Sequence, residues 1–247
     1  MKRELFDTLE MFPAMGTVYS KNVKQNMVVV PSHLHSSHIE MQCLLYNYWF
    51  GQEEAERRLF WFRSGPEVDK EIREKFLDMY NLAKNGKLEC WREEARGCVA
   101  LILLLDQFPR NMFRGTKEMF ATDSLALRVA KQCYLVGPVP RYWDRMGRFE
   151  LLFILLVFEH QENLKYAQLA VEQLEEIKKS GKYPDGEEQF WTNAITMGVH
   201  HLKMLENFGR LPYRNAILGR TSTAAEIEFL DSGIPPFAQS VSKNVNN

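Results

Sequence analysis

At 247 residues with 45% hydrophobic side chains, the chain can bury one large core, and a single main domain is the simplest organisation. Its 31 basic and 32 acidic residues leave a formal charge of −1, which excludes the broad positive field of a nucleic-acid binder. The longest apolar runs, residues 98–105 and 151–158, fall well short of the ~20 residues a membrane-crossing helix needs, so no membrane partner is expected.

Residues 1–37 are the least regular stretch, with Pro13, Gly16, the β-branched triplet at 28–30 and Pro31. They read as an arm that contributes little to folding. Residues 38–235 read as one all-helical domain, and 236–247 as a flexible tail. Helices are expected over Glu40–Phe50 and Glu53–Phe62. Pro66 suits a first helical position, Glu67 and Asp69 suit the positive end of the helix dipole, and Asn85-Gly86 supplies a left-handed stop. Trp91–Phe108 contains the run Cys98–Leu105, apolar on all sides and therefore central. Thr122 can cap a helix to about Leu135, before Gly137-Pro138 breaks it. Tyr142–His160 holds the second all-round apolar run. Asn163–Ser180 is amphipathic and stops at Gly181. Asp185-Gly-Glu-Glu188 has the form of a cap opening a helix to Phe208. Thr223-Ala-Ala-Glu226 has the form of a capping box, which assigns Glu226 to structure rather than chemistry. No stretch requires a strand. The fold class is all-α, a multi-helix array of antiparallel helical hairpins in a tetratricopeptide-repeat-like superhelix or a bundle.

Two segments carry most of the hydrogen-bonding power. Residues 107–116 include Gln107, Arg110, Asn111 and Arg114; residues 209–223 include Arg214, Asn215 and Arg220. Each follows an apolar helical pattern, and both need anionic or carbonyl partners. The Arg-Asn pairs at 110–111 and 214–215 are therefore expected to lie close together. Acidic groups end the two apolar helices, Asp106 after the first and Glu159 and Glu162 after the second, where the dipole disfavours a carboxylate and arginine is the natural partner. The arginines serve either as helix-end clamps or as the walls of a site for a small anionic ligand. In the second case Asp106, His160, Glu162 and His200 are the acid–base candidates. A third use is a surface that binds a peptide or protein.

His33, His35 and His38 crowd together, but no cysteine or paired carboxylate completes a ligand set, and no metal is assigned. No phosphate-cradling, dinucleotide, nucleophile-elbow or zinc-protease motif occurs, so the cofactor is unknown. Cys43, Cys90, Cys98 and Cys133 lack Cys-x-x-Cys spacing and sit in apolar patterns. With an N-terminus that lacks a secretory apolar region, they point to a reducing, cytoplasmic setting.

Tyr48-Trp-Phe-Gly51, Arg58-Leu-Phe-Trp-Phe62, Leu104-Leu-Asp-Gln-Phe-Pro-Arg-Asn-Met-Phe-Arg-Gly-Thr116, Phe120-Ala-Thr-Asp123, Phe158-Glu-His160 with Glu162, and Arg214-Asn-Ala-Ile-Leu-Gly-Arg-Thr-Ser-Thr223 resemble the family of unknown function DUF924 over about residues 44–231. The resemblance implies an all-helical, tetratricopeptide-repeat-like fold and brings no activity with it. Gln161 stands where the family pattern has Ser, and Tyr213 where it has His, so no nucleophile or metal ligand is carried over at those positions.

Overall fold

Helices form every regular element in the computed structural model, which describes residues 36–51, 61, 65–134, 146–181, 183 and 186–233. No strand occurs among them. All of the described residues fall in one unit, Ser32–Asn247. Residues 1–35 of the expected arm, the expected tail 236–247, all of the Glu53–Phe62 helix except Trp61, and His33 and His35 lie outside the described residues.

Helix α1 (Ser36–Phe50) buries Leu45 and Trp49, and the Trp61 indole N–H donates to the Trp49 carbonyl at 2.9 Å. Helix α2 (Pro66–Lys84) opens on Pro66 with Glu67 and Asp69 in its first turn and stops at Asn85-Gly86, where Gly86 has φ 72. Its inner face is Ile72, Phe76, Met79, Tyr80 and Ala83.

The stretch expected as one helix over Trp91–Phe108 is broken. A 3-10 turn (Glu89–Glu93) ends at Glu94, which is extended (φ −132, ψ 149), and α3 (Ala95–Ile102) starts after it. Periodicity did not reveal the break, but Gly97 marks it: a Cβ there would lie 2.1 Å from the Trp91 carbonyl oxygen. The chain folds back too closely for any other residue. Past Ile102 the helix widens into a π-turn (Leu103–Gln107) and resumes as α4 (Phe108–Met112). The helical path thus continues past Phe108, its expected end, to Met112. Pro109 has no N–H, so the Leu105 carbonyl four residues earlier loses its helical donor. The Phe108 N–H reaches back five residues to Leu103, and the buried Thr122 hydroxyl donates to Leu105 at 2.6 Å.

Helix α5 (Asp123–Tyr134) follows, then α6 (Arg148–Glu159), α7 (Leu164–Ser180), α8 (Glu188–Phe208) and α9 (Ala224–Asp231). Helix α6 begins at Arg148 and not at Tyr142, because Gly147 is extended (ψ 159) and its N–H is held by the Glu150 carboxylate. Asn163 caps α7 by accepting from the Lys165 and Tyr166 N–H groups, and Gly181 ends it in the left-handed conformation, as the sequence predicts. Asp185, the expected cap of α8, lies outside the described residues; the helix starts at Glu188, and Glu187 before it makes no capping bond, its buried carboxylate taking Arg148 and, at 3.1 Å, the Trp191 indole.

Residues 98–105 and 151–158 are buried throughout, so α3 and α6 form the centre. Trp49, Trp91, Trp191, Phe76, Phe108, Phe153 and Phe158 surround them, each large apolar side chain contributing roughly 1.5–3 kcal/mol on burial. Helix α6 lies against α3, α5 and α7. Helices α7 and α8 run past each other in opposite directions. Val171 abuts Gly198, while the earlier Ala167 shares a cluster with the later Met204 and Leu205.

Candidate functional site

The π-turn sets the site. It places the fully buried Asp106 at the end of the central helix, facing the C-terminus of α6. Its backbone carbonyl accepts from Arg110 Nη1 at 2.7 Å. Its carboxylate accepts from Gln107 Nε2 at 2.5 Å and pairs with Arg110 Nη1 at 3.1 Å. Both carboxylate oxygens lie 2.9 Å from His160 Nδ1. Burial works to raise the Asp106 pKa, but Arg110, His160 and Gln107 outweigh it and hold the carboxyl at about 2. Burial and the Arg110 charge push His160 down to about 4 against the pull of Asp106. At neutral pH the pair is therefore a carboxylate and a neutral imidazole. Asp106 fixes the Nδ1–H tautomer, which turns Nε2 into the basic atom.

The two Arg-Asn pairs meet here through their arginines. Arg110 and Arg214 share the Asp123 carboxylate, at 3.1 Å and 3.5 Å from its Oδ2, and both stand over the Phe120 ring. The asparagines diverge: Asn111 donates to Asp69 at 2.8 Å, Asn215 to Ser222 Oγ at 3.0 Å. Arg114 goes with Asn111, forking onto Asp69 at 2.6 and 2.9 Å. That group ties α4 to the start of α2, away from His160.

Residues 209–223 form a strap between α8 and α9, and Leu211 to Asn215 are buried along it. Arg220 forks onto Glu162 at 2.6 and 2.8 Å, and the Leu211 N–H donates to Glu162 at 2.9 Å. Burial opposes ionisation of Glu162, but Arg220 and the Leu211 N–H lower its pKa overall. At the far end Arg210 forks onto Glu226 at 2.6 and 2.7 Å, while Glu226 completes the capping box with Thr223. The Arg210 bond holds the Glu226 carboxyl at about 2.

These partners sort the expected ligand-holding residues. Arg110, Arg114 and Arg220 each face carboxylates of the protein itself. Arg214 does so only weakly: it is 4% exposed, its ion pair is the 3.5 Å contact to Asp123, and its Nε, like that of Arg220, has no hydrogen-bond partner among the described residues. Among the acid–base candidates Asp106 and His160 are in contact, and Glu162 is engaged by Arg220. His200 is exposed, and its neighbour His201 is the residue that faces inward.

Four contributors were not singled out as site residues from the sequence. Asp123 joins the two arginines. Glu159, His201 and Tyr213 form a row: His201 Nε2 lies 3.2 Å from Tyr213 Oη and its Nδ1 3.5 Å from Glu159 Oε2. The His201 ring is 6.4 Å from that of His160. The position of Glu159 at the end of an otherwise apolar helix was the available signal. His38 lies 3.5 Å from Cys90 Sγ, and no group of three His, Cys, Asp or Glu among the described residues is arranged to hold a metal ion. The four cysteines are free thiols, and no helix among the described residues is long and apolar enough to cross a membrane.

Fold and site together define an all-helical protein with an Asp–His pair at the junction of its two central helices, closed over by an arginine-bearing strap. The profile of the DUF924 family, described as bacterial proteins of unknown function, matches residues 45–233, and the chain belongs to that family. It is similar to a solved protein of unknown function from Agrobacterium tumefaciens, with 29% identity and a TM-score of 0.66 over 79% of this chain and 99% of that one. Among curated proteins none matches.

Proposed function

We propose that the chain binds a small anionic metabolite, a carboxylate or phosphate, at Arg214, with His160 as the acid–base group beside it. The observation that carries this reading is the contrast between Arg214 and the other arginines. A guanidinium offers five donors in a fixed fork. Arg214 is buried with one long ion pair and an Nε without a partner, next to an imidazole that Asp106 has oriented. Burying an underused guanidinium is costly, and an anion seated on it removes that cost. Arg110 and Arg220 then act as supports for Asp106 and Glu162 rather than as ligand contacts.

The proposal includes an arrangement of helical hairpins of the tetratricopeptide type and a cytoplasmic setting, the latter supported by the free cysteines. The test is a thermal-shift screen against carboxylated and phosphorylated metabolites, with and without divalent metals. A ligand at 100 times its dissociation constant should stabilise the protein by about 2.7 kcal/mol, and Arg214→Met should abolish the shift. A ligand that stabilises both proteins equally binds elsewhere and removes this reading. If only peptides stabilise the protein, it is a helical scaffold instead.

A further inference from the structure

We propose that Glu159 and His201 position the Tyr213 hydroxyl as a hydrogen-bond donor to the ligand, through a chain in which a neutral Glu159 carboxylic acid donates to His201 Nδ1 and His201 Nε2–H donates to Tyr213 Oη. The inference rests on the Arg214 reading for the presence of a ligand. The chain itself rests on side-chain geometry.

Glu159 is 1% exposed, and neither of its carboxylate oxygens has a hydrogen-bond partner within the described residues. Its nearest charged or titratable neighbours are the adjacent His160, Asp106 on the π-turn and His201 on α8. Helices α7 and α8 meet it with Val171 and Gly198: a Cβ built on Gly198 would lie 3.1 Å from Val171 and 3.2 Å from Glu159 Oε1. No arginine or lysine of the described residues pairs with it. An ionised carboxylate in such a place costs several kcal/mol. A neutral acid has a proton to give, and His201 Nδ1, 3.5 Å from Glu159 Oε2, is an acceptor within reach of it. Burial raises the Glu159 pKa against the pull of His201, with the Asp106 charge adding to the rise.

The proton on Glu159 sets the polarity of the whole row. With Glu159 neutral, His201 carries its proton on Nε2, fills a lone pair of Tyr213, and leaves the phenolic hydrogen pointing onward. With Glu159 ionised, His201 Nδ1–H turns to it, Nε2 takes the Tyr213 hydrogen, and the phenol presents only lone pairs. The first arrangement welcomes an anion and the second repels one. Tyr213 is well placed to act on the same ligand as Arg214: it is the preceding residue on the strap, its ring centroid is 5.6 Å from the Arg214 guanidinium, and its phenol is close enough to influence Arg110.

The test uses the whole chain without ligand. Nitrogen NMR of ¹⁵N-histidine-labelled protein at pH 7, with the signal assigned by its loss in His201→Asn, reports the His201 tautomer. Infrared difference spectra between wild type and Glu159→Gln report the protonated carboxyl. The expected result is the Nε2–H tautomer in both proteins, since a glutamine amide also donates, and loss of one protonated-carboxyl band on substitution. An Nδ1–H tautomer, an imidazolium, or a carboxylate band lost in place of the acid band overturns the chain. Neither spectrum needs a ligand, so failure here is distinct from failure of the Arg214 site.

Discussion

Asp106→Asn is expected to lower the urea unfolding midpoint by the equivalent of about 3–5 kcal/mol, the range for breaking a buried pair by removing one partner. The substitution keeps the shape and one carbonyl acceptor but removes the charge. Arg110, at 3.1 Å from Asp106, then retains only Asp123 among its carboxylate partners, and it shares Asp123 with Arg214. His160 loses the carboxylate that fixes its tautomer, and one of the two oxygens it approaches becomes an amide NH₂. Each effect falls on a group that is buried or nearly so. Urea unfolding of the two proteins at pH 7 measures the sum. An unchanged or higher midpoint would mean that Asp106 is held there at the expense of stability, the behaviour of a group kept for activity alone.

The second large effect is acid sensitivity carried by His160. Its folded pKa of about 4 lies below the ordinary 6.5, so the unfolded chain takes up the proton first as the pH falls. The contribution is fully present above pH 6.5 and is lost as pH falls from 6.5 to 4, in total about 3 kcal/mol. Asp106 adds a loss of the same sign lower down, between its ordinary 3.8 and about 2. Glu159 acts in the opposite sense: with a raised folded pKa, it favours the fold on the acid side and that favour fades as pH rises. The comparison that isolates His160 is therefore the difference between wild type and His160→Gln. Wild type should lose about 3 kcal/mol more than the variant between pH 7 and pH 4, measured by denaturant unfolding at each pH. Parallel curves would contradict a buried neutral His160.

Local chemistry was legible in the sequence where both partners are near in the chain. Asn163 before α7, Gly181 after it and the Thr223–Glu226 box all stand where spacing placed them. The all-α class and the central position of the two apolar runs follow from periodicity alone. Interruptions inside a periodic stretch were not legible. Glu94 breaks a pattern that continues on both sides of it, and the π-turn lets Pro109 sit inside a helix that a proline ordinarily ends. The site was half legible for a related reason. Asp106, His160 and Arg214 declared themselves as polar groups at the ends of apolar segments. Asp123, Glu159, His201 and Tyr213 join through contacts between separate helices and the strap, and no spacing rule brings residues 123 and 214 to one carboxylate.

The measurement that bears most directly on the site is the stability of Arg214→Met beside Arg114→Met, both without ligand. Arg114 closes a complete fork with Asp69, and its loss should lower the urea midpoint clearly. Arg214 is buried with little to hold it, so an apolar side chain of similar length should leave the midpoint unchanged or raise it. A drop at Arg214 as large as that at Arg114 would show that Arg214 is one more clamp, and the anion site would have no residue left to hold its ligand.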